Sequence, residues 1–340
     1  MNIKQGVSFW SYLNLYQAGM MSIEDMFSHA KSLGAEGIEL LPFMHRICPY
    51  PNYSQQDVDS FKELCAKYEV EPVCNASMII CVQDGEKNMF SAFPAAHKNI
   101  SHEGMVELMK QEIDLTHAFG FKRMRHPLYT GMSMKAIEEV LPYAEDCGVA
   151  LDLELHAPMQ IDGPEVEAQI EMIEKSSTRS SGIIPDLNAF QDRLPECYRR
   201  MQLEDDADED MISEIDAALL AHEDMKAFAE KVSGSIKDSA TKEYLRQASS
   251  LMPNKLEQLR PIMKYVHHCH GKFFDIDENG NETTFDYPAY MRLLSECGFE
   301  GYFVCEYEGF MFRDPSDSNT KEQVERYFKM MNSILKNLGE

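Results

Sequence analysis

The segment VALDLELH, residues 149–156, decides the fold, because it is a short apolar run that turns polar at its carboxyl end. Segments 182–186 (GIIPD), 266–272 (VHHCHGK) and 301–306 (GYFVCE) have the same character. Strands that are buried on both faces of a parallel sheet have this composition, and in a barrel their polar carboxyl ends line the active face. The second half of the chain therefore predicts four consecutive parallel strands.

The first half of the chain alternates short β-rich runs with longer helical patterns. The runs lie at residues 6–10, 37–41, 72–76 and 123–126, and they bring the expected strands to eight. Two of the helices begin at Ser22 and Ser54, each followed three residues later by an aspartate, the spacing of a capping box. Such alternation is typical of βα units around one parallel sheet. We predict an α/β fold, a single-domain (β/α)8 TIM barrel covering residues 1–340.

One segment departs from this alternation, at residues 191–261, between the sixth and seventh expected strands. It contains an acidic run at 204–210 and helical patterns at 211–232 and 241–251, but nothing that resembles a strand. We therefore predict a helical insertion within the barrel domain, with the acidic run as a solvated face. An insertion on the active side of a barrel forms either a lid or a contact with another subunit.

The charge balance restricts the partners of this protein. Its 57 acidic side chains outnumber the 32 basic ones, and the net charge is −25. Such a field repels phosphate backbones, so we expect no binding to nucleic acid. The apolar runs are too short to cross a bilayer, and residues 1–6 do not have the pattern of a secretory signal. Nine cysteines without a CxxC pair indicate reduced thiols and hence a cytoplasmic protein.

Four consecutive strands of the second half end in residues that bind metals. Carboxylates crowded at one point repel each other unless a cation lies among them. Carboxylate oxygens with one imidazole suit a single divalent ion, with Mn²⁺ as our expectation and Mg²⁺, Co²⁺ or Zn²⁺ as alternatives. The four residues, called here the four-residue group, are Glu154, Asp186, His270 and Glu306.

The choice among neighbouring residues follows from strand geometry. Residues two apart in a strand point the same way, so Glu154 and His156 share a face, as do His268 and His270. We choose His270 as the ligand because it lies nearer the end of the strand. A Cys/His zinc finger is excluded, because the sequence offers no second ligand pair at the required spacing.

Four short motifs carry a resemblance to a known family. They are Glu-x-His-x-Pro at 154–158, Ile-Pro-Asp at 184–186, His-Gly-Lys-Phe at 270–273 and Glu-Tyr-Glu-Gly at 306–309. With these motifs the chain resembles the xylose-isomerase-like superfamily of sugar isomerases and epimerases. Within that superfamily it is most similar to the catalytic α subunits of bacterial C-glycoside deglycosidases. Segments 6–8 and 37–39 also fit, so the resemblance covers the whole barrel.

The resemblance implies an enzyme that acts on a 3-oxo sugar made by a separate oxidoreductase. A ketone acidifies the adjacent C–H bond, and a metal at its oxygen stabilises the charge that develops. His156 is the expected base, because it shares a face with Glu154 and imidazole titrates near neutrality. β-Elimination of the aglycone would then cleave a 3-oxo-C-glycoside. A smaller β subunit in a higher hetero-oligomer is the implied partner.

Four further residues are expected to contact the substrate, most of them with an alternative. Trp10 ends the first strand and forms either an apolar wall for a ring or part of the barrel packing. Lys272 contacts either a sugar oxygen or solvent, whereas Glu308 either orients a metal ligand or binds a hydroxyl. His126 ends the fourth strand and would approach the pocket.

Three other functions compete with the lyase. Reprotonation in place of elimination would give a metal-dependent keto-sugar isomerase or epimerase that needs no partner. A metal-dependent endonuclease for abasic DNA shares the barrel, but it would need more histidine ligands and a basic face, which the net charge of −25 opposes. A non-catalytic sugar-binding barrel predicts a broken set of ligands, whereas this set is intact.

Overall fold

Eight parallel strands form the centre of the protein in a computed structural model, which describes residues 3–49, 52–82, 96–177, 180–313 and 319–339. The strands are β1 Lys4–Ser8, β2 Gly37–Leu40, β3 Glu71–Ala76, β4 Arg123–Arg125, β5 Ala150–Leu155, β6 Ile183–Pro185, β7 His268–Phe273 and β8 Tyr302–Tyr307. Their order is β6-β5-β4-β3-β2-β1-β8-β7. Parallel bridges from Ile183 to Val266 and from Asp186 to His270 join the two ends of this sheet. The predicted TIM barrel is confirmed, and each expected strand is present.

The strands are buried because helices cover the outer face of the barrel. Every residue of β5 and β7 is buried, as the apolar sequence pattern requires. A Cβ atom at Gly271 would collide with the hydroxyl of Tyr327, from the helix Thr320–Gly339. This helix therefore packs closely against β7 at Gly271. The neighbours of that glycine, His270 and Lys272, point the other way, into the barrel.

The helices follow the strands in the expected alternation. Ser22 and Ser54 both form capping boxes with the aspartate three residues later, as predicted. The α-helices outside residues 191–261 are Leu13–Gln17, Ile23–Ser32, Pro42–His45, Gln55–Tyr68, His102–Phe119, Met134–Asp146, Pro164–Lys175, Tyr287–Glu296 and Thr320–Gly339. Shorter 3-10 turns lie at Phe9–Tyr12, Leu128–Thr130, Leu187–Phe190 and Gly309–Phe312. A two-residue ladder pairs Cys81–Val82 with His97–Lys98.

The chain between β6 and β7 is helical, with the α-helices Glu196–Glu204, Glu209–Leu220, Met225–Val232 and Ser239–Ser250 and the 3-10 helix Leu256–Tyr265. The helical patterns expected at 211–232 form two helices, because the chain turns at His222, with a φ of 53°, and a new helix is capped by Asp224. The helix Glu196–Glu204 was not expected. The acidic residues of the run 204–210 are exposed, as predicted. That residues 191–261 are an insertion within one domain stays a prediction.

These helices share a small apolar core of their own, which includes Ile212, Ile215, Tyr244 and Leu245. Phe312, from the turn after β8, packs on Tyr198 with the ring centroids 5.1 Å apart. The segment is therefore attached to the side of the barrel on which the carboxyl ends of the strands lie. All nine cysteines fall in the described ranges and have free thiols. Within those ranges, no helix is both long and apolar enough to cross a membrane.

Candidate metal centre

The four-residue group comes together at the carboxyl ends of four neighbouring strands. Glu154 belongs to β5, Asp186 follows β6 directly, His270 belongs to β7 and Glu306 to β8. All four side chains are buried, and one ligand atom from each lies within 4.8 Å of the others. The structure thus brings together the four residues that the sequence selected; their role as metal ligands stays a prediction.

His270 presents one ring nitrogen to all three carboxylates. Its Nδ1 lies 2.7 Å from Oε1 of Glu154 and 3.6 Å from Oδ2 of Asp186. The distance from Nδ1 to Oε2 of Glu306 is 3.9 Å. This nitrogen is therefore the imidazole atom that would bind a cation held by the carboxylates.

Lys272 supplies the positive charge at this point of the barrel. Its Nζ lies 3.1 Å from Oδ2 of Asp186, 3.4 Å from Oε2 of Glu306 and 3.0 Å from Oε1 of Glu308. The side chain is only 2% exposed. The sequence left open whether Lys272 meets solvent, and the structure places it inside the cluster instead.

Burial and neighbouring charges shift the pKa values of the three carboxyl groups in different directions. Burial raises the pKa of Glu306 to about 8. The negative charge of Asp186 also raises this pKa, whereas the positive charges of Lys272 and His270 lower it. Burial also acts on Glu154, but Arg125 and His270 outweigh it and lower the pKa of that carboxyl to about 2. Lys272 similarly holds the pKa of Asp186 below its ordinary value in spite of burial. One carboxyl of the group therefore keeps a proton near neutral pH unless a cation replaces it.

Unsatisfied oxygen atoms indicate that the group fits a divalent cation. Oδ2 of Asp186 and Oε2 of Glu306 are buried and make no hydrogen bond of normal geometry with the described residues, although Nζ of Lys272 lies 3.1 Å and 3.4 Å from them. Buried polar atoms in folded proteins nearly always have hydrogen-bond partners, so these two oxygen atoms can still accept an ion. Three carboxylates and one imidazole are also a donor set that Mn²⁺, Mg²⁺ and Co²⁺ accept.

Two residues that the sequence analysis did not select form hydrogen bonds with members of the four-residue group. Glu39, buried in β2, accepts hydrogen bonds at Oε2 from Nε2 of His268 at 3.0 Å and from Nε2 of His270 at 2.9 Å. Burial raises the pKa of Glu39, but the two histidines outweigh it and bring the pKa well below its ordinary value. Arg125, from β4, donates from Nη1 to Oε2 of Glu154 at 3.0 Å. Glu39 lies near the carboxyl end of a short apolar strand, the pattern that selected the four-residue group, whereas Arg125 ends a strand that contains two arginines.

His156 follows β5 directly and turns one nitrogen toward Lys272. Its Nε2 lies 3.1 Å from Nζ of Lys272, and its Nδ1 lies 2.8 Å from the carbonyl oxygen of Ala157. A lysine ammonium only donates and a carbonyl only accepts, so the proton is assigned to Nδ1 and the lone pair to Nε2. The basic nitrogen of His156 therefore faces the four-residue group across Lys272.

The loop that carries His156 is held by the helical segment between β6 and β7. Asn254 accepts from the amide of Ile161 at 2.9 Å and donates to the carbonyl oxygen of Met159 at 3.0 Å. Gln160 donates from Nε2 to the carbonyl oxygen of Met252 at 2.9 Å. The segment thus contacts the rim of the site through the loop after β5.

Three of the four residues expected to contact the substrate lie together. Trp10 is half-buried, and its Nε1 donates to Oε1 of Glu308 at 3.2 Å, the oxygen that also faces Lys272. The ring centroid of Trp10 lies 5.9 Å from that of Phe310. Substrate contact by Trp10, Lys272 and Glu308 stays a prediction.

His126 lies apart from these residues. It is fully buried and bonded through Nε2 to Oε1 of Gln169 at 3.0 Å, on the helix Pro164–Lys175. Because Arg125 points toward Glu154, the adjacent His126 faces the opposite side of the strand. Burial lowers the pKa of His126 to about 4, in keeping with a neutral ring that packs against a helix.

Comparison with known proteins agrees with the fold and the motifs. The family model described as Xylose isomerase-like TIM barrel matches residues 27–331. A C-glycoside deglycosidase alpha subunit of Arthrobacter globiformis is 27% identical, over 94% of this chain and 89% of its own length. A 3'-dehydrocarminate deglycosidase alpha subunit of Microbacterium sp. is 24% identical, over 92% and 90%. Among solved structures, a D-allulose 3-epimerase of Methylomonas sp. superimposes over 98% of each chain, with a TM-score of 0.56 and 13% identity.

Proposed function

Because the chain belongs to the xylose isomerase-like TIM barrel family, we propose that it is a metal-dependent carbon–carbon lyase that cleaves 3-oxo-C-glycosides. In this role it is the catalytic subunit of a C-glycoside deglycosidase. The observation that carries the proposal is the approach of a basic nitrogen, Nε2 of His156, to the four-residue group, with Nζ of Lys272 3.1 Å from both Nε2 and Asp186. The names of two relatives that align along most of the chain support the same reaction.

The four-residue group would hold one divalent cation, with Mn²⁺ as the first candidate and Mg²⁺, Co²⁺ or Zn²⁺ as alternatives. When bound, such a cation supplies a Lewis acid for the oxygen of a sugar ketone. Arg125 would restrain Glu154 through their hydrogen bond. Glu39 would restrain His270 in the same way. Lys272 stays beside Asp186 and Glu308, where it can donate a hydrogen bond to a substrate oxygen.

His156 would act as the base. Its Nε2 takes the proton from the carbon next to the ketone, and its Nδ1 remains bonded to the carbonyl oxygen of Ala157. The electron pair of that C–H bond becomes a carbon–carbon double bond to the former glycosidic carbon. The bond to the aglycone breaks, and its electron pair leaves on the aglycone carbon. That carbon receives the proton that His156 took up, so the products are an unsaturated keto-sugar and the free aglycone, and His156 returns to its neutral form.

A keto-sugar isomerase or epimerase is the second candidate. The same proton abstraction by His156 would begin it, and return of a proton to the sugar carbon would complete it. The observation that favours this outcome is Lys272, which places a second proton-carrying group 3.1 Å from Nε2 of His156. A non-catalytic sugar-binding barrel is a poorer candidate, because it has no use for four converging ligands and a base.

The partner in the first case is a smaller β subunit, in a hetero-oligomer. This proposal rests on the names of the two relatives, which call each of them an alpha subunit. A separate oxidoreductase would supply the 3-oxo sugar, in the cytoplasm. The segment between β6 and β7 meets the loop of His156 through Asn254, so it would serve either as a cover for the site or as a contact with the partner.

The experiment that separates these functions is product analysis. Mn²⁺-loaded protein, with and without a candidate β subunit, is incubated with 3-oxo-C-glycosides and with simple ketoses. Free aglycone supports the lyase, whereas an epimerised or isomerised ketose without the partner supports the second candidate. Neither product from protein that carries its full metal content would overturn both. The variant His156→Ala serves as the control that must remove whichever product appears.

A further inference from the structure

We infer that Glu39 is a positioning residue, which fixes the tautomer and the orientation of His270 so that Nδ1 offers its lone pair to the cation. The inference rests on the proposed metal site. It extends that site to β2, on the other side of the barrel, since β8 and β1 lie between β2 and β7 in the sheet. Carboxylate partners of this kind are known to orient ligating histidines and to set their tautomer.

The two nitrogens of His270 have different surroundings. Nδ1 faces the three carboxylates of the four-residue group, the nearest of which is Glu154 at 2.7 Å. Nε2 lies 2.9 Å from Oε2 of Glu39, and both side chains are completely buried. An ionised carboxylate only accepts hydrogen bonds, so the hydrogen on Nε2 is held by Glu39, and a cation among the other three carboxylates would take the place of the hydrogen on Nδ1. Glu39 therefore keeps the hydrogen on Nε2, so that Nδ1 is the nitrogen that offers its lone pair when a cation is bound.

His268 holds Glu39 in this position. Its Nε2 lies 3.0 Å from the same Oε2, and its ring stands at 83° to that of His270, with the centroids 5.3 Å apart. Two imidazoles thus meet one carboxylate oxygen from different directions. This arrangement restrains the rotation of the carboxylate, and through it the rotation of His270.

Direct metal binding by Glu39 is the competing role. Glu39, Cys74 and His268 each have one ligand atom within 4.8 Å of the others. In that role the chain would bind a second cation, whereas a positioning role requires only one. The number of bound cations therefore separates the two roles.

The test compares Mn²⁺ binding by the parent, Glu39→Gln and Glu112→Gln, with free Mn²⁺ measured by electron paramagnetic resonance. A glutamine at position 39 keeps the volume but loses the charge, and its NH₂ group can turn toward Nε2. Glu112 is a matched control, because it is a buried glutamate on the helix His102–Phe119 that is bonded to Asn75 and is not among the potential metal-ligating residues of the described ranges. We expect one Mn²⁺ per parent chain, binding about 10- to 100-fold weaker in Glu39→Gln, and parent affinity in Glu112→Gln. Parent affinity in a folded Glu39→Gln would overturn the inference, as would two tightly bound Mn²⁺ ions.

A second measurement needs no variant at position 39. Nitrogen NMR of the Zn²⁺-loaded, histidine-labelled parent reports which ring nitrogen of His270 carries hydrogen, with assignment through His270→Gln. We expect hydrogen on Nε2 and none on Nδ1, and the reverse would overturn the inference. If the parent binds metal but converts no keto-sugar, the proposed reaction fails and this inference stands. If the parent binds no metal, both fail.

Discussion

Nζ of Lys272 lies 3.1 Å from Nε2 of His156, inside a cluster that contains three carboxylates within 3.4 Å of the same Nζ. The proposed base and the lysine at these carboxylates are thus direct neighbours. Because the ammonium donates to Nε2, it keeps the lone pair of His156 directed into the site. The pair therefore links charge compensation at the carboxylates to proton transfer in the proposed reaction.

Replacement of His156 should separate metal binding from chemistry. In His156→Ala the four-residue group is intact, so we expect the metal content of the parent. Loss of a general base typically costs about 10²- to 10⁴-fold in rate, so kcat should fall by that factor. Metal analysis and steady-state kinetics on a 3-oxo sugar measure the two effects. The control is His117→Ala, an exposed histidine on the helix His102–Phe119, and a parent rate in His156→Ala would show that another group is the base.

Replacement of Lys272 should lower the free energy of unfolding more in the absence of metal than in its presence. Lys272→Met removes the ammonium beside the buried carboxylates of Asp186 and Glu306 and the half-buried carboxylate of Glu308. Removal of one partner from a buried ion pair costs about 3–5 kcal/mol, so the unfolding free energy of metal-free protein should fall by that amount. Mn²⁺ should restore a large part of it, because the ion brings positive charge to the same oxygens. Urea unfolding with EDTA and with Mn²⁺ provides the measurement.

The matched control for this change is Lys31→Met, which removes a surface ion pair with Glu69. Such pairs contribute about 0–1 kcal/mol, so little change is expected with or without metal. An equal loss for Lys272→Met in EDTA and in Mn²⁺ would mean that the lysine acts through packing and not through charge.

Trp10 should affect the use of substrate more than the binding of metal. Trp10→Phe keeps an aromatic ring but removes the hydrogen bond from Nε1 to Glu308, whose Oε1 also meets Lys272. A hydrogen bond to a charged group contributes about 1.5–3 kcal/mol, so kcat/KM should fall by about 10-fold or more while metal content is unchanged. Tyr265→Phe is the control, because it loses a similar bond to Glu174 away from the four-residue group. If both variants keep the parent kcat/KM, the bond between Trp10 and Glu308 has no functional role.

The strand ends were predictable because one rule of chain geometry governs them all. In a parallel barrel every strand that turns polar at its carboxyl end delivers that residue to the same face. The proximity could therefore be predicted without any knowledge of tertiary packing for all four residues, Glu154, Asp186, His270 and Glu306. The same rule applied to β2 would also have selected Glu39.

Other features depend on contacts that the sequence does not encode locally. Lys272 has a long side chain, and only the packing of the barrel decides whether it reaches solvent or turns back to Asp186. His126 shares its position at a strand end with the ligands but points outward, because Arg125 already occupies the inner face. The helical pattern at 211–232 is divided at Asp224, since the side chain of that residue caps the backbone amides of Lys226 and Ala227.

Glu306 should make cation binding depend on pH. Burial raises its pKa to about 8 in the metal-free protein, so below that pH a cation must displace a proton from this carboxyl. The affinity for Mn²⁺ should therefore rise as pH increases toward about 8, by about tenfold per unit for each proton released. Calorimetric titrations in buffers with different ionisation enthalpies count the protons released at each pH.

The variant Glu306→Gln tests the origin of this dependence. It removes the titrating carboxyl, so the number of protons released per cation should fall by about one at pH 7, and the affinity should be lower at every pH. The control is Glu282→Gln, a carboxyl whose pKa burial raises to about 7 but which is not part of the four-residue group. That variant should release as many protons on Mn²⁺ binding as the parent does. Unchanged proton release in Glu306→Gln would show that a different group, such as His270, carries the displaced proton.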